Sequence, residues 1–176
     1  MKLKAINIGC GKELMTTEMG YEWINADRKP MHPNVQQVDF TLFPLPFQDN
    51  TLDFVRMKCI LEHIPCEKQL SLLEEIHRIS KNRARIWIRV PYKGQWMRKI
   101  DHYRGYTYNT FRHLNRYWYL SNSKLSVVFE DDVPTKFGRI FLHKKIREIF
   151  SQFTDNLIKD IIVELEVQKD ILRFNH

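Results

Sequence analysis

The chain has 176 residues, of which 43% are hydrophobic, and a formal net charge of +7. This length suits one domain with a single sizeable core, and we expect residues 1–176 to form it. No run of about eighteen apolar residues is present, and the N-terminus reads as a strand, so we expect neither a membrane span nor a signal peptide. The positive charge is a contribution to solubility first, and it favours an anionic partner.

The three cysteines are Cys10, Cys59 and Cys66. They lack CxxC spacing and cannot all form disulfides with one another, which predicts a reducing, cytoplasmic location. Cys10 stands where a small side chain is required, so we expect it to pack rather than act as a nucleophile.

The start of the chain carries the first functional pattern. A predicted strand over residues 4–8 leads directly into the turn Gly9-Cys10-Gly11, and a second predicted strand, 22–26, leads to Asp27. Glycine lets the backbone pass close to a nucleoside, and an acid that ends the next strand can accept both ribose hydroxyls. The pattern therefore predicts a nucleoside-cofactor site.

The glycine pattern also discriminates between cofactors. The dinucleotide fingerprint requires a third glycine where this chain has Leu14, and no Gly-Lys-Ser or Gly-Lys-Thr is present. A pyrophosphate is thus not expected, and NAD and ATP are disfavoured. S-adenosylmethionine, a nucleoside without phosphate, fits better.

The remaining predicted elements alternate between strands and helices, which is typical of a doubly wound α/β sheet. Strands are predicted over 35–40, 52–57, 83–90, 125–130 and 161–167, and helices over 65–80, 107–120 and 143–153. On the fifth strand Arg85 and Arg89 share one side, and Glu164 and Glu166 share one side of the last. If these strands are neighbours, an Arg–Glu ladder is expected.

At this point the sequence resembles a known family. The segments NIGCG, INADR, VDF, LPFQDNTLDFV, LEHI, LLEEIHRISK and IWIRVP, within residues 3–91, are similar in order and spacing to class I S-adenosylmethionine-dependent methyltransferases of the compact type 11 kind. The later segment DHYRGYTYNTF resembles a subset of them. The resemblance implies a Rossmann-like, mostly parallel seven-stranded sheet in the order 3-2-1-4-5-7-6, with strand seven antiparallel.

The resemblance also implies which residues hold the cofactor. Backbone at Ile8, Gly9, Cys10 and Gly11 would cradle the methionine part and the sugar, and Asp27 would bind the ribose with Arg28 near the adenine edge. The residues after strands three and four would contact the adenine and the methionine part: Asp39, Phe40, Met57, Lys58 and Cys59. Asn7 stands where many members carry an acid, so we expect a weaker hold on the cofactor's amino group.

The acceptor side is predicted from histidines and basic residues. His63 and His102 are the predicted bases, and Arg104 would hold an anionic acceptor. The segment 92–106, which also contains Trp96 and Arg98, is predicted to gate the acceptor. No HExxH or clustered carboxylate–histidine pattern is present, so no metal is expected. Three classes of acceptor fit the sequence equally: a small molecule, a glycan or lipid precursor, and a nucleic acid.

Two departures from the family leave a second interpretation open. The usual helices before strand one are absent, and the first crossover helix must fit between Lys12 and Gly20, so it is expected to be short. One flank of the sheet is therefore expected to be thinly covered, and a homodimer through that flank is one expectation. The alternative function is a non-catalytic nucleic-acid- or protein-binding module that retains the methyltransferase fold.

Overall fold

The computed structural model describes residues 2–17, 20–95, 99–112, 124–135, 143–150 and 158–169. Its elements are β1 (Leu3–Ile8), β2 (Tyr21–Asp27), β3 (Val35–Gln37), β4 (Leu52–Lys58), a 3₁₀ helix (Leu61–His63), α1 (Cys66–Ile79), β5 (Ser80–Pro91), α2 (Tyr108–Arg112), β6 (Lys124–Pro134), α3 (Lys144–Phe150) and β7 (Ile158–Gln168).

All seven strands join one sheet in the order β3-β2-β1-β4-β5-β7-β6. The five strands from β3 to β5 are parallel, and β7 runs antiparallel to both β5 and β6. The predicted strand order and the antiparallel seventh strand are therefore confirmed. A parallel sheet of this order places the carboxyl ends of β1, β2 and β4 side by side, where ligands bind in such folds.

The predicted element boundaries differ most after β5. The helix predicted over 65–80 matches α1 to within one residue at each end, whereas β6 continues to Pro134, beyond the predicted end at residue 130. Strand β6 is longer than predicted because its pairing with β7 continues as far as Pro134, which lies opposite Ile158 of β7. Parts of the helices predicted over 107–120 and 143–153, namely 113–120 and 151–153, lie outside the described residues.

The hydrophobic core lies between the sheet and α1. The helix buries Leu72, Leu73 and Ile76, and the strands bury alternate residues such as Ile86 and Ile88 of β5. Alternation follows from the strand geometry, because successive side chains point to opposite faces of a sheet. The intervening residues of β5 face the other side.

That other side carries no α-helix in the connections that precede β4. Residues 28–34, between β2 and β3, contain none. Residues 9–17 and 20, between β1 and β2, contain none either, so the short crossover helix predicted between Lys12 and Gly20 is wrong for the described residues. Instead, Tyr21, Trp23 and Phe54 pack against one another with ring centroids 5.6–5.8 Å apart. The expected homodimer through this flank stays a prediction.

The Arg–Glu ladder is confirmed for one of its two arginines. Arg85 lies 3.1 Å from Glu166 and 3.9 Å from Glu164, whereas Arg89 pairs with Asp160 at 2.5 Å. The strand register explains the difference, because it places Arg85 opposite Glu166 and Arg89 nearer the Asp160 end of β7.

A buried ion pair joins α3 to β6 and makes a stability prediction. Arg147 donates to Asp132 from Nε at 2.6 Å and from a terminal nitrogen at 3.0 Å, and both residues are buried. Removing one partner leaves a buried charge uncompensated, so Asp132→Ala should lower the free energy of unfolding by about 3–5 kcal/mol. Urea denaturation checks this value.

Arg85→Ala is the matched control, because the Arg85 side chain is 43% exposed. Exposed ion pairs contribute about 0–1 kcal/mol, so this variant should unfold almost like the wild type. Equal losses of stability in the two variants would contradict the buried-pair interpretation.

Candidate active site

A cavity of about 470 Å³ opens at the carboxyl ends of β1, β2 and β4. It is lined by residues from the turn after β1, from the ends of β2 and β3, from the 3₁₀ helix and from the loop after β5: Gly9, Asp27, Arg28, Lys29, Asp39, Phe40, Thr41, Ile60, His63, Ile64, Ile100, Asp101, His102 and Tyr103. Its volume is within the range of small-molecule and cofactor sites. Seven of the residues predicted to bind cofactor or acceptor line it.

The Gly-x-Gly turn closes one wall of the cavity. Gly9 and Gly11 have φ of +64° and +52°, which glycine adopts without strain. The N–H groups of Gly9 and Cys10 donate to the Ala26 carbonyl at 2.9 and 3.2 Å, and that of Gly11 donates to Asp27 Oδ2 at 2.9 Å. Because these donors are engaged within the protein, the turn is not shaped as a phosphate-binding nest, in line with the predicted absence of a pyrophosphate.

The two glycines make a paired prediction. A Cβ at Gly9 would lie 2.7 Å from the side chain of Ile60, whereas a Cβ at Gly11 would meet nothing within 4 Å. Both alanines would suffer the backbone strain of a positive φ, about 1–2 kcal/mol. Gly9→Ala should therefore lose clearly more thermal stability than Gly11→Ala. Calorimetric melting of both variants measures this difference, and a larger loss in Gly11→Ala would contradict it.

Two backbone hydrogen bonds fix the Asp27 carboxylate in the cavity wall. Its Oδ2 accepts from Gly11 N and its Oδ1 accepts from Lys29 N at 2.8 Å. An ionised carboxylate has about four acceptor sites, so about two stay available toward the cavity. These two acceptor sites fit a ribose diol, whose two hydroxyls can donate to them.

Asp39 is held as an anion beside an aromatic ring. Its Oδ1 accepts from the hydroxyl of Thr41 at 2.7 Å and from the Thr41 N–H at 2.9 Å. These hydrogen bonds, the hydroxyl one first, hold the pKa of Asp39 below its usual value. Phe40, only 3% exposed, follows it in the cavity wall. An acceptor next to an apolar ring fits an aromatic base with an amino group.

The other predicted cofactor residues lie outside the cavity lining, and their predicted roles stay predictions. These residues are Asn7, Ile8, Cys10, Gly11, Met57, Lys58 and Cys59. Ile8 and Met57 are fully buried in the core. Asn7 is also buried and faces the opposite side of the sheet, where its Oδ1 accepts from Arg56 at 2.8 Å.

Asn7 and Lys58 belong to a polar network around Glu13. Glu13 pairs with Arg56 at 2.7 Å and with Lys58 at 2.5 Å, and its carbonyl accepts from Asn7 Nδ2 at 2.7 Å. The Lys58 hydrogen bond is the main reason that the pKa of Glu13 is lowered. This network anchors the connection after β1, which has no α-helix in its described residues. The network itself was not predicted from sequence.

Four residues of the segment predicted to gate the acceptor, 92–106, line the cavity: Ile100, Asp101, His102 and Tyr103. The base of this segment is fixed, because Tyr92 and Tyr106 form a parallel bridge and are both buried. Its tip is exposed at Ile100. Two of the residues predicted for the gate, Trp96 and Arg98, lie outside the described residues.

The predicted acceptor residues differ in their placement. His63 and His102 line the cavity, and their rings lie nearly perpendicular with centroids 4.7 Å apart. Arg104 does not line it and instead lies over the Tyr106 ring at 5.3 Å.

Sequence reasoning did not single out Glu62. This residue is 1% exposed, and burial raises its pKa to about 7. Within the described part of the chain, Glu62, His63 and His102 form the only group of three or more potential metal ligands. The sequence feature that could have indicated this group is the adjacent pair Glu62-His63 in the LEHI segment.

The architecture and the cavity define a class. The chain has the fold of class I S-adenosylmethionine-dependent methyltransferases, since it superposes with a TM-score of 0.66 on a SAM-dependent methyltransferase from Archaeoglobus fulgidus, at 18% identity over 93% of this chain and 86% of that one. It is also similar to phosphoethanolamine N-methyltransferase 2 from Haemonchus contortus, solved with S-adenosyl-L-methionine (TM-score 0.62, 12% identity, 94% of this chain and 48% of that one).

A third similar structure is a methyltransferase from Haloferax volcanii in complex with a methyltransferase activator (TM-score 0.60, 15% identity, 95% of this chain and 83% of that one).

The family comparison points to the same class. Residues 6–88 match the family model described as "Methyltransferase domain". The predicted fold, that of class I S-adenosylmethionine-dependent methyltransferases, is confirmed, and the family match over residues 6–88 is similar to the type 11 resemblance predicted from sequence. No protein of the curated set matches the chain. Among the residues that the structure describes, no helix is long and apolar enough to cross a membrane.

Proposed function

We propose that this protein is an S-adenosylmethionine-dependent methyltransferase that binds both cofactor and acceptor in the cavity after β1, β2 and β4. One observation carries the proposal. A single cavity is lined both by Asp27, Asp39 and Phe40 and by the imidazoles of His63 and His102. The first set suits an adenosine, and the second suits a nucleophile that must lose a proton.

The chain's own residues would bind and orient the cofactor. Asp27, already fixed by two backbone N–H groups, accepts from the ribose hydroxyls. Asp39 accepts from the adenine amino group while Phe40 packs beside the ring. When bound, the cofactor supplies a methyl group already activated by a positively charged sulfur.

The acceptor would bind between this site and the tip of the 92–106 loop. Little covalent assistance is needed, so alignment for in-line displacement is the main contribution of the protein. Where the acceptor atom carries a proton, the imidazole of His63 or His102 accepts it.

The acceptor's charge is expected to be negative. This expectation rests on the charge of +7 of the chain as a whole, because the cavity lining contains Asp27, Asp39 and Asp101 as well as Arg28 and Lys29. Small anionic metabolites and glycan or lipid precursors fit this charge, and nucleic acid stays in the set of acceptors to be tested. The cytoplasmic location inferred from the cysteines likewise stays a prediction.

Transfer of a radioactive methyl group tests the proposal. The wild type is incubated with S-adenosylmethionine labelled in its methyl group and with separate pools of small metabolites, lipids and RNA. Label should appear in one pool and disappear with Asp27→Ala. Tight cofactor binding without transfer to any pool would contradict methyl transfer as the function.

The uncovered sheet face favours one alternative, a binding module that retains the fold. Its half-buried aromatics Tyr21, Trp23 and Phe54 lie where described connections provide no α-helix. A module of this kind would bind RNA or DNA in a salt-sensitive manner, or a protein, without affinity for the cofactor. Filter binding at two salt concentrations, with and without S-adenosylhomocysteine, separates the two functions.

A further inference from the structure

Three side chains with metal-binding atoms meet beneath the acceptor end of the cavity. Glu62, His63 and His102 each bring one ligand atom to within 4.8 Å of the other two. The 3₁₀ helix supplies the first two residues, and the loop of residues 92–106 supplies the third. The Tyr103 N–H ties the loop to the helix by donating to the Glu62 carbonyl at 2.8 Å. One carboxylate and two imidazoles form a donor set that divalent transition metals favour.

Glu62 is the group that a cation would stabilise most. It is almost fully buried, and its Oε2 has no hydrogen-bond partner among the described residues. The neighbouring charges that act on it are those of Asp160 and Asp101, both negative, and the positive charge of Lys99. A buried carboxylate without a donor is costly, and a bound cation would offset that cost.

His63 is oriented as a metal ligand is usually oriented. Its Nδ1 lies 3.2 Å from the backbone oxygen of Asp101 and 3.2 Å from the Asp101 carboxylate. An N–H at Nδ1 that donates to Asp101 leaves Nε2 unprotonated and free to coordinate. A carboxylate behind an imidazole is the arrangement that fixes the orientation of metal-binding histidines.

The size of the cluster suits one ion after a small contraction. Ligand atoms on one tetrahedral ion, with bonds of about 2.0–2.2 Å, lie roughly 3.3–3.5 Å apart. The separations of up to 4.8 Å therefore require side-chain movements of about 1 Å. Since Glu62 lies behind the wall that His63 and His102 line, the fourth position of the ion would face the cavity.

We propose that Glu62, His63 and His102 bind a divalent transition metal ion, with Zn²⁺ the best match, whose open position takes an oxygen atom of the methyl acceptor. The metal site stands on its own, whereas the role of the ion rests on the proposed methyl transfer. Three protein ligands and one open position are typical of catalytic rather than structural zinc. With the ion bound, the two imidazoles are ligands and do not accept the acceptor's proton.

The chemistry favours a hydroxyl acceptor. On binding the ion, the hydroxyl loses its proton to water, because coordination lowers its pKa. An oxygen lone pair then forms the new C–O bond, and the C–S bond of the cofactor breaks with its electron pair passing to sulfur. An amine has a single lone pair, which coordination would occupy, so the site favours oxygen over nitrogen.

Titration with Co²⁺ tests the site without relying on activity. Untagged full-length protein is treated with a chelator, and Co²⁺ binding is followed by visible absorption, with Zn²⁺ as the competitor. We expect one equivalent to bind with nitrogen and oxygen ligands and to be displaced by Zn²⁺. Glu62→Gln, His63→Asn and His102→Asn should each weaken binding at least tenfold, and Asp101→Asn about tenfold.

Matched variants keep the test decisive. His32→Asn changes an exposed histidine outside the cavity, and Cys66→Ser removes an exposed thiol, so both variants should bind Co²⁺ like the wild type. Glu62→Asp should recover part of the binding lost in Glu62→Gln, a rescue that a purely structural role of Glu62 would not give.

Two results would overturn the metal site: no Co²⁺ binding by the wild type at large excess, or unchanged binding in all three ligand variants. S-adenosylhomocysteine binding measured on the same samples separates this failure from failure of the proposed function. Cofactor binding without metal binding rejects the metal site alone. Metal binding without cofactor binding supports the site and rejects its role in methyl transfer.

Discussion

Asp27→Ala should bind S-adenosylmethionine on the order of 10- to 100-fold more weakly than the wild type. The substitution removes the carboxylate predicted to accept from both ribose hydroxyls, and hydrogen bonds to charged groups contribute about 1.5–3 kcal/mol. It also removes the acceptor that fixes Gly11 N and Lys29 N, so the wall of the cavity loses its anchor. Isothermal titration with S-adenosylmethionine measures the change.

Asp53→Ala is the matched control for this experiment. Asp53 is a carboxylate of β4 that pairs with Lys81 at 2.8 Å and lies outside the cavity lining. Its loss should leave cofactor affinity unchanged, and melting curves of both variants correct for any loss of fold. Unaltered cofactor affinity in Asp27→Ala would reject the assignment of the ribose site.

His102→Ala should reduce the rate of methyl transfer at least tenfold, which corresponds to about 1.4 kcal/mol in the activation barrier. The imidazole lines the acceptor end of the cavity and lies against His63, so its loss removes either a base or a metal ligand. Cofactor affinity should stay within about twofold, because Asp27 and Asp39 are untouched. Steady-state kinetics with the identified acceptor, alongside calorimetry, separates the two effects.

Arg104→Ala tests the wider acceptor gate predicted from sequence. If Arg104 belongs to that gate, this variant should also lose at least tenfold in the rate of methyl transfer. The guanidinium lies over Tyr106 and outside the cavity lining, so the geometry favours a smaller loss than for His102→Ala. Normal turnover by His102→Ala would reject the acceptor site. Equal losses of methyl-transfer rate in both variants would indicate that the acceptor site extends beyond the described cavity to Arg104.

Much of the fold was predictable because its signals are local. Alternating residues such as Ile86 and Ile88 defined β5, and the seven-strand order followed from the family resemblance and is confirmed. The position of Asp27, Asp39 and Phe40 beside the cavity was also predictable, because residues at or just after the end of a parallel strand lie at the ligand-binding edge.

What sequence could not predict depends on contacts between distant segments. The approach of His102 to Glu62 and His63 requires the Tyr103–Glu62 hydrogen bond, which no spacing rule encodes. Asn7 and Lys58 were placed near the cofactor from their position in the chain. The side-chain alternation of their strands directs their side chains to a network around Glu13, while their predicted cofactor contacts stay predictions.

The central claim is that the cavity holds an S-adenosyl nucleoside between Asp27, Asp39 and the 3₁₀ helix. Calorimetric titration of the wild type with S-adenosylhomocysteine tests it most directly, because it needs neither acceptor nor metal. We expect saturable binding of one molecule per chain that is competed by S-adenosylmethionine and is much weaker in Asp27→Ala. Absence of binding in the wild type, or equal binding in Asp27→Ala, would contradict it.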